Sequence, residues 1–128
     1  MRRDLPIGVI AAQIAHAAGE SSPGNLPPST YAVILSVADE PALIATARRL
    51  GEAGVAFKAI REPDAPYDNA LMALGLVPRR RSELRKYLSE LPLFRGSTST
   101  GVAERRHVSK EMDGGSKPSA GANHLGVV

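Results

Sequence analysis

Apolar residues recur through positions 1–95 in short runs that Gly, Pro and Asp separate, and each run has the spacing of one helix or strand. The first helix is predicted from about Gly8 to Gly19. Ile10, Ile14 and Ala17 recur at i, i+4 and i+7 within it, so they form one apolar face. This pattern predicts an amphipathic helix that packs on a sheet.

Three further runs predict strands. Residues 31–37 and 70–77 are continuously apolar, which is typical of strands covered on both faces. Residues 55–61 predict a third strand, and the prolines at 63 and 66 make the following stretch a loop.

Two more helices follow from their end signals. Asp39 is a good N-cap residue and Pro41 fits the first turn of a helix that Gly51 closes. Pro78 is predicted to open a last helix, which Pro92 ends.

The order helix, strand, helix, strand, strand, helix indicates an α/β fold. We expect a three-layer sandwich in which a small mixed β-sheet of about four strands carries helices on both faces. The first strand should precede the helix at Gly8, but only seven residues stand there. That strand is therefore predicted to be short or truncated, or the chain begins upstream of Met1.

Composition divides the chain in two. Residues 1–95 are expected to form the domain. Residues 96–128 are rich in Gly, Ser and Ala, contain no aromatic residue and show no apolar period. Such a segment buries too little apolar surface to offset the entropy of ordering it, so it is predicted to be a disordered C-terminal tail.

Cysteine is absent and the three histidines, His16, His107 and His124, are scattered, so we expect no metal site and no disulfide. No apolar run approaches the roughly 20 residues that span a bilayer, which excludes a membrane helix and favours the cytoplasm. The net charge of +3 and the pI of about 9.6 are compatible with a polyanionic partner.

Four short motifs carry a family resemblance. Residues 3–5 read RDL, and residues 11–17 read AAQIAHA at the start of the first helix. Residues 60–62 read IRE at a strand end, and residues 73–75 read ALG in the next strand. This order resembles the type-two peptidyl-tRNA hydrolases across about three quarters of the chain.

The resemblance implies an enzyme that hydrolyses the ester bond between peptide and tRNA, recycling stalled tRNA without a cofactor. The residues that it marks as catalytic are Gln13, His16, Glu62 and Asp68. Glu62 stands where the family has aspartate, Asp68 falls near a family threonine, and Val9 replaces the family lysine. The alternatives for these residues are structural: a packed histidine, a glutamine that bridges helix and sheet, and solvated carboxylates.

Arginines cluster at the predicted start of the last helix, where they oppose the helix dipole and so favour a ligand over a stabilising role. The residues expected to bind tRNA phosphates are Arg3, Arg79, Arg80, Arg81 and Arg85. A solvated helix face is the competing interpretation.

Two other functions stay open. The substitutions at Val9 and Asp68 are compatible with a catalytically degenerate module of the same fold that binds tRNA or a protein. A regulatory domain for a small ligand is a weaker possibility. The family resemblance also implies a possible homodimer.

Overall fold

The computed structural model describes residues 1–95 and 124–128. Three helices and four strands form these parts of the chain. In chain order they are α1 (Ile7–Ser21), β1 (Tyr31–Val33), α2 (Glu40–Glu52), β2 (Phe57–Glu62), β3 (Ala70–Arg80), α3 (Arg81–Leu88) and β4 (His124–Val127).

The four strands form one mixed sheet in the order β1-β4-β3-β2. β4 runs parallel to β1 and antiparallel to β3, and β3 runs antiparallel to β2. Helix α1 packs on one face through Ile10 and Ala17, which meet Ile60 and Ala73. Helices α2 and α3 cover the other face, so the predicted α/β sandwich is confirmed.

β3 shows why the helices divide between the faces. Its side chains alternate, and Leu74 and Leu76 join the larger apolar cluster below α2 and α3. Ala73 and Gly75 face α1, and these small residues let the helix approach the sheet closely. A Cβ built on Gly75 would lie 2.2 Å from the carbonyl oxygen of Ala17.

The N-cap of α2 was predicted correctly. The Asp39 carboxylate accepts a hydrogen bond from the backbone N–H of Ala42 at 3.0 Å, and a proline stands in the first turn. Leu43, Thr46 and Leu50 then recur at i, i+3 and i+7 and are buried. This helix is amphipathic because its remaining positions are mostly exposed.

The expectation that residues 96–128 form a disordered tail is wrong for the last five residues. Residues 124–127 are β4, which lies between β1 and β3, and Val127 and Val128 are buried. A strand of four residues obtains its hydrogen bonds and its burial from the two neighbouring strands. The sequence of residues 124–127 alone therefore gave no strand signal. The rest of the predicted tail lies outside the described residues.

The expected first strand is a stub. Met1 to Arg3 extend the line of β4, and Arg2 forms an isolated parallel bridge with Val37. Leu35 donates its N–H to the Val128 oxygen at 3.1 Å and accepts from the Met1 amine at 3.1 Å. The C-terminal residues up to Val128 and the N-terminal residues from Met1 therefore lie end to end in the same strand position of the sheet. A gap the size of one residue, opposite Leu35, separates Val128 from Met1.

The sequence prediction differs most from the structure at the first apolar run and at Pro78. The run 31–37 was expected to be one central strand, but β1 covers only Tyr31–Val33 and lies at the sheet edge. Pro78 was expected to open the last helix, but it lies within β3, and α3 begins at Arg81. Pro78 is tolerated because the pairing of β3 with β4 shifts register between Leu76 and Arg79, where its missing N–H is not needed.

Candidate active site and basic surface

One polar contact joins two of the four motifs that carry the family resemblance. Gln13 lies in the first half of α1 and is 3% exposed. Its Nε2 donates to Oε2 of Glu62 at 3.2 Å, across 49 positions of sequence. Glu62 is the last residue of β2 and is half-buried. The fold therefore brings these two predicted site residues together.

The Glu62 carboxylate has a second partner. Its Oε1 accepts the backbone N–H of Asp64 at 3.3 Å. A carboxylate offers about four lone-pair sites, so two hydrogen bonds fix its orientation and leave capacity for a water molecule. The pair Gln13–Glu62 can thus hold a water near the start of α1.

The turn between β2 and β3 positions this carboxylate. Asn69 donates its N–H to the Glu62 carbonyl oxygen at 2.7 Å, and the Arg61 guanidinium donates to the Asn69 carbonyl oxygen at 3.1 Å. Asp68 and Asn69 both have positive φ, of 48° and 68°. Asp and Asn tolerate this left-handed conformation better than other residues with a Cβ, which gives Asp68 a role in the turn.

The other two predicted catalytic residues are less closely held. His16 shares a helix with Gln13 but is exposed. Asp68 is exposed in the turn that follows Glu62. Gln13 points into the fold while His16 does not, so the structure does not bring these two side chains to one site.

Arg2 and Asp4 form a charged pair that the sequence did not single out. The Arg2 Nε and Nη2 atoms donate to the two Asp4 carboxylate oxygens, each at 2.9 Å. This hydrogen bond raises the pKa of Arg2 and lowers that of Asp4. Arg2 also donates to the Leu71 carbonyl oxygen at 3.1 Å, which ties the N-terminal segment to the start of β3. The opposite charges of Arg2 and Asp4, two positions apart, were the available signal.

The predicted tRNA-binding arginines do not form one surface. Arg79 and Arg80 end β3, and Arg81 and Arg85 belong to α3. Arg3 is exposed beyond the opposite end of the sheet, where its N–H donates to the Val37 carbonyl oxygen at 2.9 Å. The structure therefore groups four of the five arginines and separates Arg3 from them.

The helix-dipole argument for these arginines was wrong. Arg79 and Arg80 are strand residues, and only Arg81 stands in the first turn of α3, next to Glu83. Arg85 lies in the last turn, where a cation is favourable to the helix. These four arginines are a candidate binding surface because they lie close together, and not because their charge opposes the helix dipole.

Within residues 1–95 and 124–128, no group of three or more potential ligands could hold a metal ion. None of the helices in those ranges is long and apolar enough to cross a membrane.

Comparison of the chain with models of protein families, with curated proteins and with solved structures found no match. The resemblance to the type-two peptidyl-tRNA hydrolases thus rests on the short motifs and on the order of elements.

Proposed function

We propose that this chain is a divergent peptidyl-tRNA hydrolase that acts in the cytoplasm on the ester between a peptide and the 3′ end of tRNA. The hydrogen bond between Gln13 and Glu62 is the observation that carries the proposal. It joins two of the four residues that the resemblance marks as catalytic, although these two are far apart in sequence.

In the proposed reaction Glu62 acts as the general base. Its carboxylate takes a proton from a bound water, and the water oxygen attacks the ester carbonyl carbon. The bond between that carbon and the ribose oxygen then breaks, and the proton passes to the ribose oxygen. Gln13 keeps the carboxylate in place through its hydrogen bond to Oε2.

The test is hydrolysis of an N-blocked aminoacyl-tRNA by the wild type and by Glu62→Gln. General base catalysis contributes about 10²- to 10⁴-fold, so Glu62→Gln should lose at least about a hundredfold. Glu62→Asp restores the family carboxylate and should keep part of the rate. Asp64→Asn is the matched control, because this neighbouring carboxylate is exposed and should change the rate by less than about threefold.

A wild type that releases no peptide at high enzyme concentration would overturn the proposal. So would a folded Glu62→Gln protein with the full rate, since the carboxylate would then not be the base.

A second candidate is a tRNA- or protein-binding module without turnover. The observation that favours it is that both Glu62 oxygens already have partners within the chain. It predicts RNA binding that weakens with salt, together with no hydrolysis. A homodimer also remains part of the proposal; β1 and β2 are the edge strands of the sheet among the described residues.

A further inference from the structure

The two ends of β3 carry opposite charge. β3 begins at Ala70, which pairs with Glu62, and ends at Arg80. Ten steps of about 3.3 Å place these ends about 30 Å apart. The arginines at the end of β3 are therefore remote from the Gln13–Glu62 pair.

A basic surface forms at the far end of β3. Its residues are Arg49, Arg79, Arg80, Arg81, Arg85 and Lys86. The Arg49 guanidinium donates to the Tyr87 carbonyl oxygen at 3.5 Å, which brings the end of α2 against α3. Lys86 lies 5.1 Å from the centre of the Tyr87 ring. Two helices and one strand thus contribute to the same surface.

Few carboxylates offset these cations. Glu83 pairs with Arg79 at 3.3 Å, Glu52 ends α2 and Glu90 follows α3. Arg80, Arg85 and Lys86 are exposed, and no ion pair within the described parts of the chain involves them. The basic surface consequently keeps an excess of positive charge that faces solvent.

The near end of β3 has an excess of carboxylates, although Arg2, Arg3 and Arg61 also lie there. Asp39 and Glu40 begin α2, and the Glu40 carboxylate accepts the Leu71 N–H at 2.7 Å. Glu62, Asp64 and Asp68 lie in and before the turn that leads into β3. Such an excess of carboxylates repels phosphate groups, so most of the nucleic acid backbone, beyond the reacting 3′ end, is better held elsewhere.

We propose that the basic surface binds the phosphate backbone of an RNA duplex about 30 Å from the reacting ester, a distance set by ten steps along β3 at about 3.3 Å each. The surface then adds affinity for long RNA substrates and takes no part in the chemistry. The inference rests on the proposed hydrolysis for its reaction, but the binding itself can be measured without turnover.

The test compares two substrates that carry the same N-blocked aminoacyl ester. One is a whole tRNA, and the other is a short single-stranded oligonucleotide that ends in the same nucleotides. The variant is Arg80→Gln with Arg85→Gln, which lowers the net charge by two. The control is Lys58→Glu, which makes the same change in charge at an exposed position of β2.

We expect the double variant to lose about tenfold in kcat/KM on whole tRNA, with the loss in KM, and to stay within about twofold on the oligonucleotide. Binding of a labelled RNA hairpin should show a salt slope that is lower by about 1.5, since each lost phosphate contact removes about 0.7 to 0.9. Lys58→Glu should leave the salt slope unchanged. Thermal unfolding of each variant checks that it is folded.

Equal losses on both substrates, or an unchanged salt slope, would overturn the inference. If the wild type hydrolyses neither substrate, the proposed reaction fails, but the hairpin measurement still decides whether the basic surface binds RNA.

Discussion

Replacing Gly75 by Ala tests the contact that holds α1 against the sheet. A Cβ at position 75 would lie 2.2 Å from the Ala17 oxygen, 2.9 Å from the Ala17 carbonyl carbon and 3.0 Å from Cβ of Ser21. Two of these atoms are backbone, so no side-chain rotation relieves the overlap. The helix must move by about 1 Å to restore an ordinary contact.

Overpacking of this kind costs about 1 to 3 kcal/mol, and the rigid backbone places Gly75→Ala near the upper value. A loss of about 3 kcal/mol shifts the urea midpoint by roughly 1 to 3 M. It also moves Ala17, which lies one turn after Gln13, so the contact with Glu62 should weaken.

The assay is urea unfolding followed by circular dichroism. Two glycines serve as controls because they lack this overlap. Gly126 lies in β4, where a Cβ would be 3.8 Å from the Tyr31 oxygen, and Gly51 lies in α2 with nothing within 4 Å. Changing either to Ala should be neutral or should stabilise the protein by up to about 1 kcal/mol. A Gly75→Ala protein as stable as the wild type would refute the close packing of α1 on β3.

Two further predictions concern the shared strand position. Deleting residues 124–128 removes β4 and the buried Val127 and Val128, at about 1.5 to 3 kcal/mol each. This change should unfold most of the protein in circular dichroism, and a native spectrum with an unchanged melting temperature would contradict it. In a chain that begins at Met1, burial lowers the pKa of the α-amine from 8.0 to about 5. The unfolded state then binds the proton more readily between these values, so stability should fall as pH drops from 8 to 5, by up to about 4 kcal/mol. Urea unfolding across this range measures the slope; the same slope in a chain with an acetylated N-terminus would contradict the assignment to the amine.

Local sequence determined the elements that carry their own signals. The apolar period of α1, the Asp39 cap of α2 and the continuous apolar run of β3 depend on neighbours within a few residues. These signals were enough to predict an α/β sandwich with helices on both faces of a mixed sheet. Gln13 and Glu62 were also chosen as site residues from the sequence, through the resemblance.

Tertiary structure decided the rest because the interactions involved are not local. β4 is four residues long and includes Gly126, so only pairing with β1 and β3 makes it a strand. Pro78 could continue β3 because a register shift removes the need for its N–H. The separation of Arg80 from Glu62 follows from the length of β3. Glu62 pairs with the first residue of this strand and Arg80 is its last residue, so the two lie at opposite ends of the domain.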